Sequence, residues 1–211
     1  MHPHTANILT LVRLLLVPFF VAAVAGTSVL SGAAALLLFA LAAVTDYLDG
    51  VVARRYGLQT PLGEFLDPLA DKVLVGAAFI TFALLPQLTV PLWLVGVILL
   101  RELFVTGMRV AGIRKQRRMK TEKAGKVKTA VQMVSILVIL ALLLARSVLA
   151  RDRFPEDPAP GPELWTQAAG PAGLLLHYLP LLLTAVSALL ALVSLVQYVR
   201  GNRHLFPGAR S

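Results

Sequence analysis

The sequence predicts an all-α, polytopic membrane protein with six transmembrane helices and both termini on the cytoplasmic side. Three observations lead to this prediction. The 211 residues are 57% hydrophobic and only 15% charged, whereas a soluble domain typically carries about 25% charged residues. The apolar residues form six long stretches. The basic residues are concentrated in the connections between those stretches.

Each apolar stretch is long enough for one span, because a bilayer core of about 30 Å requires about 20 apolar residues in a helix. Six such spans leave no room for a separate soluble domain, so residues 1–211 are expected to form a single membrane domain. The N-terminus lacks a basic leader and a small-residue cleavage site, so the first stretch should be retained as a span. The predicted spans are, approximately, 7–26, 29–53, 62–86, 90–112, 127–150 and 172–199.

The charges of the connections set the predicted orientation. Residues 114–128 contain eight Lys or Arg and one acid, which is typical of a cytoplasmic loop. The turn at 86–90 has no charge, and the segment 151–171 has five prolines and four acids. Both are expected outside, the second as a loop beyond the membrane. Arginines after the second and sixth stretches fit the inside, so the protein is expected in the cell's inner membrane.

Composition excludes several classes of function. The net charge of +9 does not indicate a nucleic-acid partner, because orientation and anionic lipid headgroups explain basic residues that lie between apolar stretches. The chain contains no cysteine, which excludes disulfides, Cys-based metal sites and a thiol nucleophile.

Acids at or beside the ends of apolar stretches are the strongest functional signal: Asp46, Asp49, Asp67 and Asp71. On a helix, the first two are i,i+3 neighbours whose Cβ atoms lie about 5–6 Å apart. The last two are i,i+4 neighbours if the helix runs through Pro68. Pro68 leaves two alternatives. It lies at the first position of a helix capped by Asp67, or it kinks a helix that begins near Thr60 and Pro61.

Four carboxylates in a partly dry site repel one another unless cations neutralise them. Oxygen ligands, with neither Cys nor His nearby, favour Mg²⁺ or Mn²⁺ over zinc. The alternative is that the aspartates cap helix ends or pair with Arg54, Arg55 and Lys72, which explains any one of them more easily than all four. We therefore predict a divalent-metal site.

The spacing of the acids resembles the motif of the CDP-alcohol phosphotransferase family. The stretch reads Asp46-x2-Asp49-Gly50-x2-Ala53-Arg54-x8-Gly63-x3-Asp67-x3-Asp71. It is similar to the family motif at all eight fixed positions, and the likeness extends from about residue 6 to residue 133. Within the family, the likeness is greatest to bacterial members that transfer a phosphatidyl group from CDP-diacylglycerol to glycerol 3-phosphate.

The resemblance implies a role for each motif residue. The four aspartates would hold two Mg²⁺ or Mn²⁺ ions, and Asp71 would also act as the general base. Two cations about 3.5–4 Å apart can stabilise the charge that develops on a departing nucleotide. The resemblance also implies a homodimer. The residues expected to bind the cytidine diphosphate part of the donor are Asn7, Thr10, Gly50, Ala53, Arg54, Thr60 and Gly63.

A phosphorylated acceptor requires a second anion site. The candidates are the cations Arg101, Arg109, Lys126 and Lys128. Many relatives carry an acid where this chain has Val110, so other acceptors stay open, namely inositol phosphate, or phosphatidylglycerol to give cardiolipin. A divalent-cation carrier is a more distant alternative, because acids within membranes often mark ion paths. The internal repeats that transporters often show are not evident.

Overall fold

The computed structural model describes the backbone of residues 4–56, 61–114, 123–154, 156–157 and 160–202. Side chains are described for 11–45, 72–108 and, with short gaps, 125–202. All regular structure in these ranges is helical, which confirms the all-α part of the predicted fold class. The helices are α1 (His4–Ala25), α2 (Val29–Tyr56), α3 (Pro61–Leu84), α4 (Leu92–Arg114), α5 (Lys123–Arg153) and α6 (Pro162–Gly201).

Each helix coincides with one predicted apolar stretch, but the prediction of a loop over 151–171 is wrong in extent. α5 continues to Arg153, and α6 already begins at Pro162. The prolines indicated a loop, yet a proline in the first turn of a helix breaks no hydrogen bond, because that N–H has no partner within the helix. Pro162 occupies this position, directly after the extended residue Gly161 (φ −63°, ψ 166°).

Gly170 interrupts α6. Its backbone has φ 50° and ψ −130°, which is not helical. A positive φ is accessible to glycine at little cost because glycine has no Cβ. The following residue is Pro171, which disfavours a helical conformation in the residue before it. α6 therefore consists of a short first segment and a long second segment with a break between them.

The helices pack around one large apolar core, with a small second cluster at Ala150 and Leu176. α1 packs against α2 and α3, α5 against α2, α3 and α6, and α4 against α3 and α6. The rings of Phe20 in α1 and Phe39 in α2 lie 5.7 Å apart between centroids, and Phe79 and Phe82 of α3 meet edge to face. Lipid tails are as apolar as these side chains, so close packing, and not transfer out of water, stabilises such a core in a membrane.

The outer surface is apolar. Large apolar side chains such as Phe19, Leu37 and Trp93 are exposed, and an extensive apolar surface marks contact with lipid or with another protein. Two helical segments, Gly125–Arg153 and Gly173–Gly201, are long and apolar enough to cross a membrane, each with a mean hydropathy of 2.5. These features indicate a membrane protein.

Arg146 joins two connections at one end of the bundle. It belongs to α5 and is 5% exposed. Its Nη1 donates to the carbonyl oxygen of Gln87, between α3 and α4, at 2.5 Å. Its Nη2 donates to the carbonyl oxygen of Pro160, between α5 and α6, at 3.2 Å. One side chain thus satisfies backbone acceptors in both connections.

We expect Arg146→Ala to lower the free energy of unfolding by about 1.5–3 kcal/mol, because hydrogen bonds to a charged group would be lost and buried carbonyls left without a donor. Thermal unfolding of the purified protein in detergent measures the effect. The control is Arg151→Ala, which removes an exposed arginine from the same helix. Equal effects of the two substitutions would contradict the assignment.

Candidate active site

The four aspartates lie on two consecutive helices. Asp46 and Asp49 are in the second half of α2, and Asp67 and Asp71 are in the first half of α3. α3 begins at Pro61, so of the two alternatives for Pro68 the structure has the earlier helix start. The side chains of the aspartates lie outside the described residues, and the metal site therefore stays a prediction.

The backbone nevertheless limits how far apart the two pairs of aspartates can be. Only residues 57–60 connect α2 to α3, and a connection of this length spans at most about 18 Å between the helix ends. α1 packs against both helices. The end of α2 and the start of α3 therefore lie at the same end of the bundle.

The predicted donor-binding residues are distributed over the same helices. Asn7 and Thr10 are in α1, Gly50, Ala53 and Arg54 in α2, and Gly63 in α3, while Thr60 lies outside the described residues. The described side chains elsewhere include no group of three His, Asp or Glu able to hold a metal ion. The donor site also stays a prediction.

Glu102 of α4 is the centre of a cluster of cations. Lys72 of α3 lies 3.2 Å from its carboxylate, measured from Nζ to Oε2. Arg101 lies 3.4 Å from it, measured from Nη1 to Oε1. Lys128 of α5 also donates to Oε1. One carboxylate thus contacts three cations, which we call the Glu102 cluster.

Hydroxyl groups extend the Glu102 cluster to a fourth helix. Lys72 donates to Thr106 Oγ1 of α4. Arg101 donates to Ser194 Oγ of α6 at 2.6 Å. The cluster therefore links α3, α4, α5 and α6 through polar contacts within a largely apolar bundle.

Burial differs within the cluster. The side chains of Lys128 and Glu102 are 3% and 13% exposed, whereas that of Lys72 is 27% exposed. Lys128 is therefore buried within the protein, whereas Lys72 is partly exposed. Asp71 precedes Lys72 directly in the sequence, and the two Cα atoms must lie about 3.8 Å apart. The cluster thus adjoins the part of α3 that carries the predicted metal ligands.

The predicted acceptor residues are placed differently from one another. Arg101 and Lys128 are brought together on Glu102. Lys126, two positions before Lys128, is exposed. The side chain of Arg109 lies outside the described residues. Position 109 is seven residues after Glu102, which places it on the same side of α4, about 10.5 Å further along the helix axis.

The sequence alone predicts no role for Glu102 or Thr106, and it suggests Lys72 only as a partner of the aspartates. A signal was present, because Glu102 is the single acid in the 23 residues of α4. An ionisable residue within an apolar helix points to a functional site by default. The identity of its partners, which come from α3 and α5, required the structure.

Comparison with known proteins identifies the family. The model of the family "CDP-alcohol phosphatidyltransferase" matches residues 3–157. The chain is 45% identical over 141 residues to "Probable phosphatidylglycerophosphate synthase" of Mycobacterium tuberculosis, with 65% of this chain and 66% of that protein covered. It is 35% identical over 207 residues to "CDP-diacylglycerol--glycerol-3-phosphate 3-phosphatidyltransferase" of Escherichia coli K12, with 93% of each covered.

The chain belongs to the CDP-alcohol phosphatidyltransferase family. The matched residues include all four aspartates and the Glu102 cluster except for its α6 residue Ser194. The resemblance drawn from the motif is therefore confirmed. The chain spans just under two thirds of the length of the mycobacterial relative and almost all of the E. coli one.

We expect Glu102→Gln to destabilise the protein, because Lys128 would remain buried without a countercharge. Removing one member of a buried ion pair typically costs about 3–5 kcal/mol. The double variant Glu102→Gln/Lys128→Gln should lose less stability than the sum of the two single variants, since residues in contact are not additive.

Thermal unfolding of the unmodified protein, the two single variants and the double variant in detergent gives the coupling free energy between Glu102 and Lys128. Asp152→Asn, which neutralises an exposed acid at the end of α5, is the control. Strictly additive losses would show that the two side chains do not depend on each other.

Proposed function

We propose that this protein transfers the phosphatidyl group of CDP-diacylglycerol to glycerol 3-phosphate, giving phosphatidylglycerophosphate and CMP. The observation that carries the proposal is membership of the family together with the complete eight-position motif on α2 and α3. The names of the mycobacterial and E. coli relatives support the donor and the acceptor.

The proposal includes six membrane spans, with both termini and the active site on the cytoplasmic side of the inner membrane. Six apolar helices of 22 to 40 residues and the strongly basic connection between α4 and α5 support it, because cytoplasmic loops carry an excess of Lys and Arg. A cytoplasmic site also gives access to the water-soluble acceptor. The homodimer remains an expectation from the resemblance.

The residues present fit a pair of hard divalent cations. Four carboxylates lie on two helices joined by residues 57–60, and oxygen-only ligands suit Mg²⁺ or Mn²⁺. Asp46, Asp49, Asp67 and Asp71 would hold the ions. When bound, the ions would neutralise the charge of the donor's pyrophosphate and of the departing CMP.

The chain's own residues would bind both substrates and move one proton. Arg54 presents a planar fork of donors suited to phosphate oxygens of the donor. Asp71 takes the proton of the acceptor hydroxyl as that oxygen attacks the phosphorus that carries diacylglycerol. A new P–O bond forms to the acceptor, and the P–O bond to the CMP phosphate breaks, so that CMP leaves with the bridging oxygen.

A phosphorylated acceptor is favoured over a neutral one by the cations near Asp71. Lys72 follows Asp71 in α3, and Arg101 and Lys128 meet Lys72 at Glu102. Together with Arg109 and Lys126 they form the proposed acceptor region. A neutral alcohol gives no reason for such an excess of positive charge in a bundle where each charge is costly to bury.

A product assay tests the proposed function. Purified protein, CDP-diacylglycerol and Mg²⁺ or Mn²⁺ are incubated with glycerol 3-phosphate, inositol phosphate or phosphatidylglycerol, and with glycerol and inositol as unphosphorylated controls. Among these acceptors, we expect only glycerol 3-phosphate to give CMP release and phosphatidylglycerophosphate. A chelator that removes the divalent metal should abolish turnover. Product from another acceptor would reassign the substrate. Metal flux into vesicles without CMP release would instead favour the cation carrier.

We expect Asp71→Asn to lower kcat by roughly 10²–10⁴-fold, because it removes the general base while keeping a neutral oxygen ligand. Binding of CDP-diacylglycerol at saturating Mn²⁺ should change little. Steady-state kinetics and a donor-binding assay measure the two effects, and Asp152→Asn is the matched control at an exposed position. A near-normal kcat would exclude Asp71 as the base.

A further inference from the structure

The role of Glu102 goes beyond a contribution to stability, because of what it contacts. Lys128 is almost completely buried, and its ammonium meets Glu102. A buried ammonium group without a countercharge is very costly. Glu102 therefore makes it possible for Lys128 to be charged inside the bundle, and without it the buried ammonium would have no countercharge.

Glu102 also fixes the relative positions of cations from three helices. Lys72 comes from α3, Arg101 from α4 and Lys128 from α5, and all three lie on the one carboxylate. Thr106 and Ser194 orient the two outer cations by accepting from Lys72 and Arg101. Cations that would repel one another in isolation are thus held as one preorganised group.

The charge of this group matches a single phosphate monoester. Three cations and one carboxylate leave a net charge of +2. A phosphate monoester carries about −1.5 to −2 near neutral pH. Since unbalanced charge is expensive in a dry site, an anion of this charge is the ligand that the group accommodates best.

The group is partly exposed next to the predicted metal ligands of α3. Lys72 is its most exposed cation and follows Asp71 in the chain. Gln132 lies one helical turn beyond Lys128 on α5 and is 2% exposed. Within the described part of the protein, its amide nitrogen has no hydrogen-bond partner. This is a further donor on the face of α5 that carries Lys128.

We propose that Glu102 is the positioning residue of the acceptor site, which holds Lys128, Arg101 and Lys72 in place to receive the phosphate of a phosphorylated alcohol. The inference rests on the proposed function and deepens it. Glu102 does not touch the reacting atoms. It acts through the cations, so its removal should weaken binding of the acceptor while leaving the donor site intact.

Steady-state kinetics of Glu102→Gln, Glu102→Asp and Arg146→Ala test the proposal. We expect Glu102→Gln to raise KM for glycerol 3-phosphate roughly tenfold, which corresponds to about 1.4 kcal/mol, because the three cations lose the carboxylate that holds them together. KM for CDP-diacylglycerol should stay within about twofold. Glu102→Asp retains the charge and should keep much of the acceptor affinity. If Glu102→Gln does not fold, Glu102→Asp still tests the proposal, because its shorter side chain should raise KM for the acceptor more than KM for the donor.

Arg146→Ala separates positioning from stability, because Arg146 stabilises a different part of the bundle through Gln87 and Pro160. It should lower the melting temperature without changing either KM. Inorganic phosphate provides a second measurement. Its inhibition constant against glycerol 3-phosphate should rise in Glu102→Gln by about the same factor as KM.

The outcomes distinguish the inference from the proposed function. If the unmodified protein releases no CMP with any phosphorylated acceptor, the proposed function fails. If it turns over but Glu102→Gln changes both KM values equally, or leaves both unchanged, the positioning role of Glu102 is wrong. If Glu102→Asp binds acceptor no better than Glu102→Gln, charge is not what Glu102 contributes, and the proposal is likewise overturned.

Discussion

The contact between Glu102 and Lys128 is the interaction on which the polar interior of this protein depends. Both groups lie within an apolar bundle, where an ion without a partner is very expensive. Their pairing allows Arg101 and Lys72 to approach the same point from neighbouring helices. This lowers the free-energy cost of burying four charged groups, and it fixes α3, α4 and α5 relative to one another.

Two clusters of opposite sign meet at adjacent residues of α3. Asp71 is the last of the four predicted metal ligands in the sequence, and the next residue, Lys72, is the first cation of the Glu102 cluster. Successive residues on a helix point about 100° apart. Under the proposed function, a single turn of α3 would therefore contribute to both the metal site, through Asp71, and the acceptor site, through Lys72.

The sequence predicted most of the architecture because hydropathy over about 20 residues reports directly on apolar helices. The number of helices and the family were predicted correctly, and the motif identified the family. The extent of the loop predicted over 151–171 was wrong, because proline frequency does not distinguish a loop from a helix start, and Pro162 is at a helix start. The Glu102 cluster was missed for another reason. Its four charged residues are separated by up to 56 positions in the sequence, and only packing brings them together.

The break at Gly170 has a consequence for how the chain can vary. The long second segment of α6 carries Ser187 and Ser194, whose hydroxyls meet Ser135 and Arg101. Because the helix is interrupted before this segment, a residue inserted or deleted upstream of Gly170 does not rotate these serines about the helix axis. The family match ends at residue 157, shortly before α6 begins. The chain before Gly170 can therefore change in length while the face of α6 that meets α4 and α5 keeps its register.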